Sequence, residues 1–447
     1  MRSVKALLAV STQPSSLRLE MLAYYALIFL TGAVMADLNN AIVLQSGTLK
    51  LMGIDLIDYV ALALTALFCV GGSLRQLSRA GRWYTVLLGW LAIEVAIGAS
   101  RFGASAFGEF RYIAALFWFF VPLAISGLRR TPSDVEGATV PSQTIWVALT
   151  AALVILAIEV TSGGRVFLTE QNQQQLGGFT DFRGVRYLDT YQTFNISLAA
   201  CFLFLQHDIA RPNRGGKIAL AVALTIAALW TRNRASIVAV FAGFVVLALF
   251  ERRFRLVAKL GVAATAAVGL LMLLSTSMMA NITDAFAGVV APTQDASGQW
   301  RLLLQASALE QALQTPIAGQ GYGGYYSFDV PGLGLVVAPP HNQYLELFMK
   351  GGVIALLLVA VVLFAYARQL WRLRRAETIT EDERLVVRLI LIAVIAQIPY
   401  GLAYDFPPLF GLLLGCGEVI FQRCRLRERE RAPALSASSL IGSPLHA

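Results

Sequence analysis

Apolar residues in this chain come in runs of about 20, broken by short polar or basic stretches. A helix of that length crosses a hydrocarbon core of about 30 Å. The pattern predicts spans near 20–36, 53–73, 83–100, 111–127, 144–161, 189–206, 217–230, 236–250, 256–275, 349–366, 386–403 and 406–422. A transmembrane barrel would instead alternate polar and apolar residues over segments of about ten. The expected fold is an all-α polytopic membrane protein of about twelve helices, with residues 1–447 forming one membrane domain. Two polar gaps interrupt the runs, at 162–188 and 276–342, and a basic tail follows at 423–447.

Within the second gap, Arg301–Gln314 carries apolar residues at helical spacing, which predicts a helix on the membrane surface or over a cavity. Pro316 should end it. Gly319-Gln320-Gly321-Tyr322-Gly323-Gly324-Tyr325 predicts a flexible turn with the role of a lid. Pro339-Pro340 holds the chain extended before His341, and Asn342 is placed to cap the helix that follows.

Composition agrees with the pattern: 57% of residues are hydrophobic, 14% are charged and mean hydropathy is +0.64. Charge then orients the chain. Ten of the 36 Lys and Arg (Lys50, Arg101, Arg111, Arg165, Arg183, Arg186, Arg232, Arg234, Arg301 and Lys350) fall on one side, and the other 26 fall on the opposite one. Basic loops mark the cytoplasm, so both termini are expected there. Residues 1–20 hold Arg2, Lys5 and Arg18 without a small-residue cleavage site, which predicts no cleavable signal peptide. The net charge of +9 sits mostly in short cytoplasmic loops and the tail, so nucleic acid is not an expected partner. Cys69, Cys201, Cys416 and Cys424 show no metal spacing.

Arginine on the outer side does not serve orientation and suggests an anionic ligand. Its planar fork binds phosphate oxygens in pairs and stays charged. His341 is the outer-side histidine, whereas His207 and His446 fall on the cytoplasmic side. Imidazole is the natural base for a hydroxyl near neutral pH. Arginines aimed at a departing phosphate-bearing group would stabilise its growing charge. The sequence offers no Asp-x-Asp or carboxylate cluster for a metal, and no cofactor is expected. Asp55, Asp58 and Glu94, with Glu109 at an outer edge, are costly acids in spans; each is either functional or paired at a helix end. Tyr187, Tyr191, Tyr322, Tyr325 and Tyr326 could stack on sugars.

The order Trp300-Arg301, Pro316, Gly319-Gln320-Gly321-Tyr322-Gly323, His341-Asn342-Gln343-Tyr344-Leu345-Glu346 and Gly351-Gly352 resembles the periplasmic loop of the O-antigen ligase and polymerase superfamily. Thr231-Arg232-Asn233-Arg234-Ala235-Ser236 is similar to that family's arginine-bearing helix corner, and Arg183 and Arg186 lie where members also place arginine. The resemblance covers roughly residues 180–410. It implies a lipid-donor glycosyltransferase (GT-C-like) bundle in the bacterial inner membrane. It implies transfer of an undecaprenyl-pyrophosphate-linked glycan, en bloc and with inversion, to an acceptor hydroxyl. His341 would be catalytic, and Arg301, Arg183, Arg186, Arg232 and Arg234 would bind pyrophosphate. Asn342, Tyr344, Gly319, Gly321 and Gly323 would support them.

The acceptor is left open between a lipid-linked glycan and lipid A-core, and a chain-length regulator is a candidate partner. The chain has Ala355 and Gln305 where the ligase branch has a different small or polar residue and a leucine. Both departures favour a surface-polysaccharide polymerase, making O-antigen or exopolysaccharide, over a ligase. A flippase or other transporter is the alternative class. It predicts inverted repeats with matching broken helices, and the sequence shows no clear pair.

Overall fold

The computed structural model describes residues 73–128, 190–208, 214–230, 234–274, 296–324, 327–330 and 334–441, with a few more between 50 and 157. Short strands β1 (Lys50–Leu51) and β2 (Ile54–Asp55) pair antiparallel, with Asp55 opposite Lys50. The span expected from 53 therefore opens with extended chain. The span expected at 20–36 and the loop at 162–188 lie outside the described residues, as does Asp58; of the span expected at 144–161 only Val154 and Ala157 are described.

Helices account for most of the rest. They are α1 (Arg79–Phe102), α2 (Ser105–Phe117), α3 (Phe120–Leu128), α4 (Thr190–Asp208), α5 (Arg214–Trp230), α6 (Arg234–Phe250) and α7 (Phe254–Leu274). After them come α8 (Ala296–Ala312), the hairpin β3 (Ser327–Val330) and β4 (Gly334–Val337), then α9 (Gln343–Leu373), α10 (Glu381–Tyr400) and α11 (Pro408–Ile441). Of the described helices, α1 and α9 are long and apolar enough to cross a membrane. The architecture is that of an all-α membrane protein. The run 111–127 is split, because the chain turns at Trp118–Phe119 between α2 and α3.

Lipid tails are as apolar as leucine, so hydrophobicity alone cannot drive such helices together; close packing must. The bundle shows this at Gly243 of α6, where a Cβ would stand 2.7 Å from the Ile392 carbonyl oxygen of α10. Helix α4 lies at the centre, with residues 193–206 all buried. Its Ser197 hydroxyl donates back to the Thr193 carbonyl and so needs no water. At the end carrying the basic loops, Glu251 receives Arg253, Arg374 and Arg388, which ties α6 to α9 and α10. Thr380 and Glu383 form a capping box at the start of α10. Arg427 of α11 donates to both Glu383 oxygens, at 2.6 and 2.9 Å.

Candidate functional site

Helix α9 is broken in its N-terminal third. Gly352 has φ 66° and ψ −169°, a region that essentially only glycine occupies. The break strips carbonyls and an N–H of their helical partners, which is costly away from water unless other groups replace them. They do. Gln320 N–H donates to the Met349 carbonyl and Gly321 N–H to the Lys350 carbonyl, while Val353 N–H donates to the Pro316 carbonyl. The Trp90 indole of α1 donates to the Gly351 carbonyl at 3.1 Å.

The segment 316–324 is thus a wedge between α1 and α9. Tyr322 N–H donates to the Glu94 carbonyl, and a Cβ on Gly98 would stand 1.6 Å from the Tyr322 carbonyl oxygen. Gly319, Gly321 and Gly323 are buried, with φ of 74°, 82° and 107°. The far end is clamped. The Glu109 carboxylate accepts the Gly323 N–H at 2.6 Å and pairs with the Lys350 ammonium at 2.8 Å. Lys350 also donates to the Gly324 carbonyl, Ser105 to the Gly323 carbonyl and Arg101 to the Gln320 carbonyl.

A flexible lid does not describe this segment, whose backbone is bonded on both sides. Nor is Tyr322 a platform for a sugar: it is 1% exposed. Burial first, then the nearby carboxylates of Glu346, Glu109, Asp405 and Glu94, push its hydroxyl up from the ordinary phenol range. Tyr187, Tyr325 and Tyr326 lie outside the described residues, and Tyr191 falls in the first turn of α4.

His341 sits at the turn into α9, half-buried, with φ 48°. This left-handed conformation is uncommon without glycine. Asn342 then caps the helix as its sequence position predicts, accepting from Tyr344 N–H at 3.1 Å and Leu345 N–H at 3.2 Å. The Tyr344 hydroxyl donates to the carbonyls of Gln397 and Ile398, and Gln397 donates to the Gln343 side chain. These contacts lock the first turn of α9 onto the last turn of α10.

Helix α8 lies across this turn. Its Trp300 ring is 5.8 Å from the His341 ring, and Gln305 reaches the His341 carbonyl at 3.5 Å. Arg301, the next residue, lies over the Tyr404 ring at 5.9 Å and holds no ion pair among the described residues. Leu304, Ala308 and Ala312 of α8 are buried against β3 and Met349, whereas Leu302, Leu303, Leu309 and Leu313 are exposed. That split suits a helix lying at the membrane boundary. The structure so brings together His341, Asn342, Tyr344 and Trp300, with Arg301 set over Tyr404. Arg183, Arg186 and Arg232 lie outside the described residues, and Arg234 begins α6.

Reading by sequence position missed Gly98, Ser105 and the Glu109–Lys350 pair as supports of the wedge. Arg101, one of the ten basic residues set on the outer side, is exposed and donates to the Gln320 carbonyl at 3.0 Å. The acid at an outer helix edge and the lysine just inside a span were visible signals, but nothing local linked them.

No curated protein matches the chain. A family model described as O-antigen ligase matches residues 219–360, the stretch that runs from α5 through α8, the wedge and His341 into the broken part of α9. That match, with its motif residues gathered on one turn, supports membership of the O-antigen ligase and polymerase superfamily.

Proposed function

We propose that the protein is an inner-membrane glycosyltransferase acting on the periplasmic side. It takes a glycan from undecaprenyl pyrophosphate and passes it to an acceptor sugar hydroxyl, extending a surface polysaccharide. The observation that carries this reading is the seating of α8 on the His341 turn, where Trp300, the residue before Arg301, packs 5.8 Å from the imidazole. In the proposed step the acceptor oxygen attacks the anomeric carbon from the face opposite the pyrophosphate. The bond from the anomeric carbon to the pyrophosphate oxygen breaks, and undecaprenyl pyrophosphate departs with the electron pair. His341 takes the hydroxyl proton. Arg301, with an arginine from Arg183 or Arg186 and one from Arg232 or Arg234, balances the charge that builds on the pyrophosphate.

The polymerase reading rests on Gln305 and Ala355. Gln305, where a ligase would carry leucine, reaches the carbonyl of the catalytic turn. A ligase that joins O-antigen to lipid A-core is the second reading, favoured by the description of the matched family.

One gel tests both. A deletion strain complemented with wild type or His341→Ala is examined for lipopolysaccharide and lipid-linked glycan. Loss of a general base typically costs about 10²–10⁴-fold in rate. A polymerase defect leaves cores with at most one repeat. A ligase defect leaves bare cores and long lipid-linked chains. Wild-type products from His341→Ala, or lipid-linked repeats held on the inner leaflet, would overturn the transfer reading.

A further inference from the structure

A cavity of about 630 Å³ opens between α1, α9 and α11, and its lining includes Arg79, Arg368, Arg372, Arg425, Phe364 and Phe421. From Val353, past the break, to Arg372 along α9 is about 28 Å at 1.5 Å per residue, close to a hydrocarbon thickness, which sets the cavity at the other end of the span from His341. That is the end where the basic loops 74–82 and 368–388 gather. Other arginines of this end are held in ion pairs: Arg253, Arg374 and Arg388 share Glu251, Arg427 pairs with Glu383, and Arg384 with Glu381. Arg79, Arg368, Arg372 and Arg425 are all exposed, and none holds an ion pair among the described residues. Arg368 and Arg372 stand four residues apart on one helix, where like charges repel. The one carboxylate in the lining is Glu428, which leaves the charge uncompensated. Beside the arginines, Phe364 is 69% exposed and Val361 37%, an apolar strip pointing toward the bilayer.

We propose that this cavity binds an anionic phospholipid, its phosphodiester held by the arginines and an acyl chain lying along Val361 and Phe364. The volume falls in the usual range for ligand pockets, and basic pockets between spans at the cytoplasmic leaflet are suited to such headgroups. The proposal does not rest on the transfer reaction.

The test uses the purified full-length protein in micelles containing phosphatidylglycerol and phosphatidylcholine of matched chain length, with retained lipid read by native mass spectrometry. Wild type should prefer phosphatidylglycerol by on the order of tenfold. The combined variant Arg368→Gln, Arg372→Gln and Arg425→Gln should lose that preference while staying monodisperse and helical. Ala365→Trp, which fills the cavity and keeps every charge, should lose it too. His341→Ala should keep it. Equal retention of both lipids by wild type, or an unchanged preference in the triple variant, would overturn the proposal. So would displacement of phosphatidylglycerol by millimolar inorganic phosphate, which would make the ligand a soluble anion.

Discussion

At the scale of the residue, Arg301 offers the sharpest prediction. A lysine keeps its charge but not the planar fork. If the fork grips pyrophosphate, Arg301→Lys and Arg301→Ala should each slow transfer by on the order of 10²-fold. Single-turnover assay on purified lipid-linked donor measures it, and full activity in the lysine variant would reduce Arg301 to a partner of Tyr404. The sequence made the Asn342 cap legible because it stands directly before a helix start. It misread Tyr322. A tyrosine in a glycine-rich polar stretch looks exposed, and only the distant backbone of Glu94 and Gly98 explains its burial.

At the scale of the element, the break in α9 has a stability signature. Gly352→Ala puts a Cβ 2.0 Å from the Ile317 carbonyl oxygen in a conformation other residues shun, and should cost at least about 2 kcal/mol. Gly89→Ala in α1 meets nothing within 4 Å and should stabilise by roughly 0.5 kcal/mol. Thermal unfolding in detergent distinguishes them. A second prediction concerns the joint between α10 and α11. Burial by itself would raise Glu383, but hydrogen bonds from Arg427 and Thr380 outweigh it and hold the carboxyl below its usual range. A carboxylate lowered in the folded state stabilises fully above its unfolded pKa, and that stability disappears as pH falls through the folded value. Glu383→Gln should therefore cost about 2 kcal/mol at pH 7, and its gap from wild type should close below about pH 4. A gap independent of pH would show that the pair's charge is immaterial. Helices α4 to α7 were legible to within a few residues because long apolar runs are a local property. The split between α2 and α3 and the break in α9 were not, because groups far along the chain satisfy them.

At the scale of the whole molecule, the distribution of basic residues makes a prediction about sidedness. A reporter fused after Gly334 should work only if it is an enzyme of the periplasm, since the charge pattern sets that segment opposite the basic loops. Activity of a cytoplasmic reporter there would invert the protein and with it the proposed site. The wedge also bears on how the protein is made. Gly98 and Glu94 emerge from the ribosome early, Tyr322 and Gly323 more than two hundred residues later, and the α9 backbone that completes the joint later still. Helix α1 must therefore wait in the bilayer with its glycine face unfilled while most of the chain is synthesised. The joint can close only after α9 has been inserted, so the site is among the last parts to form. A chain that stalls before α9 would carry most of its spans and yet be inert.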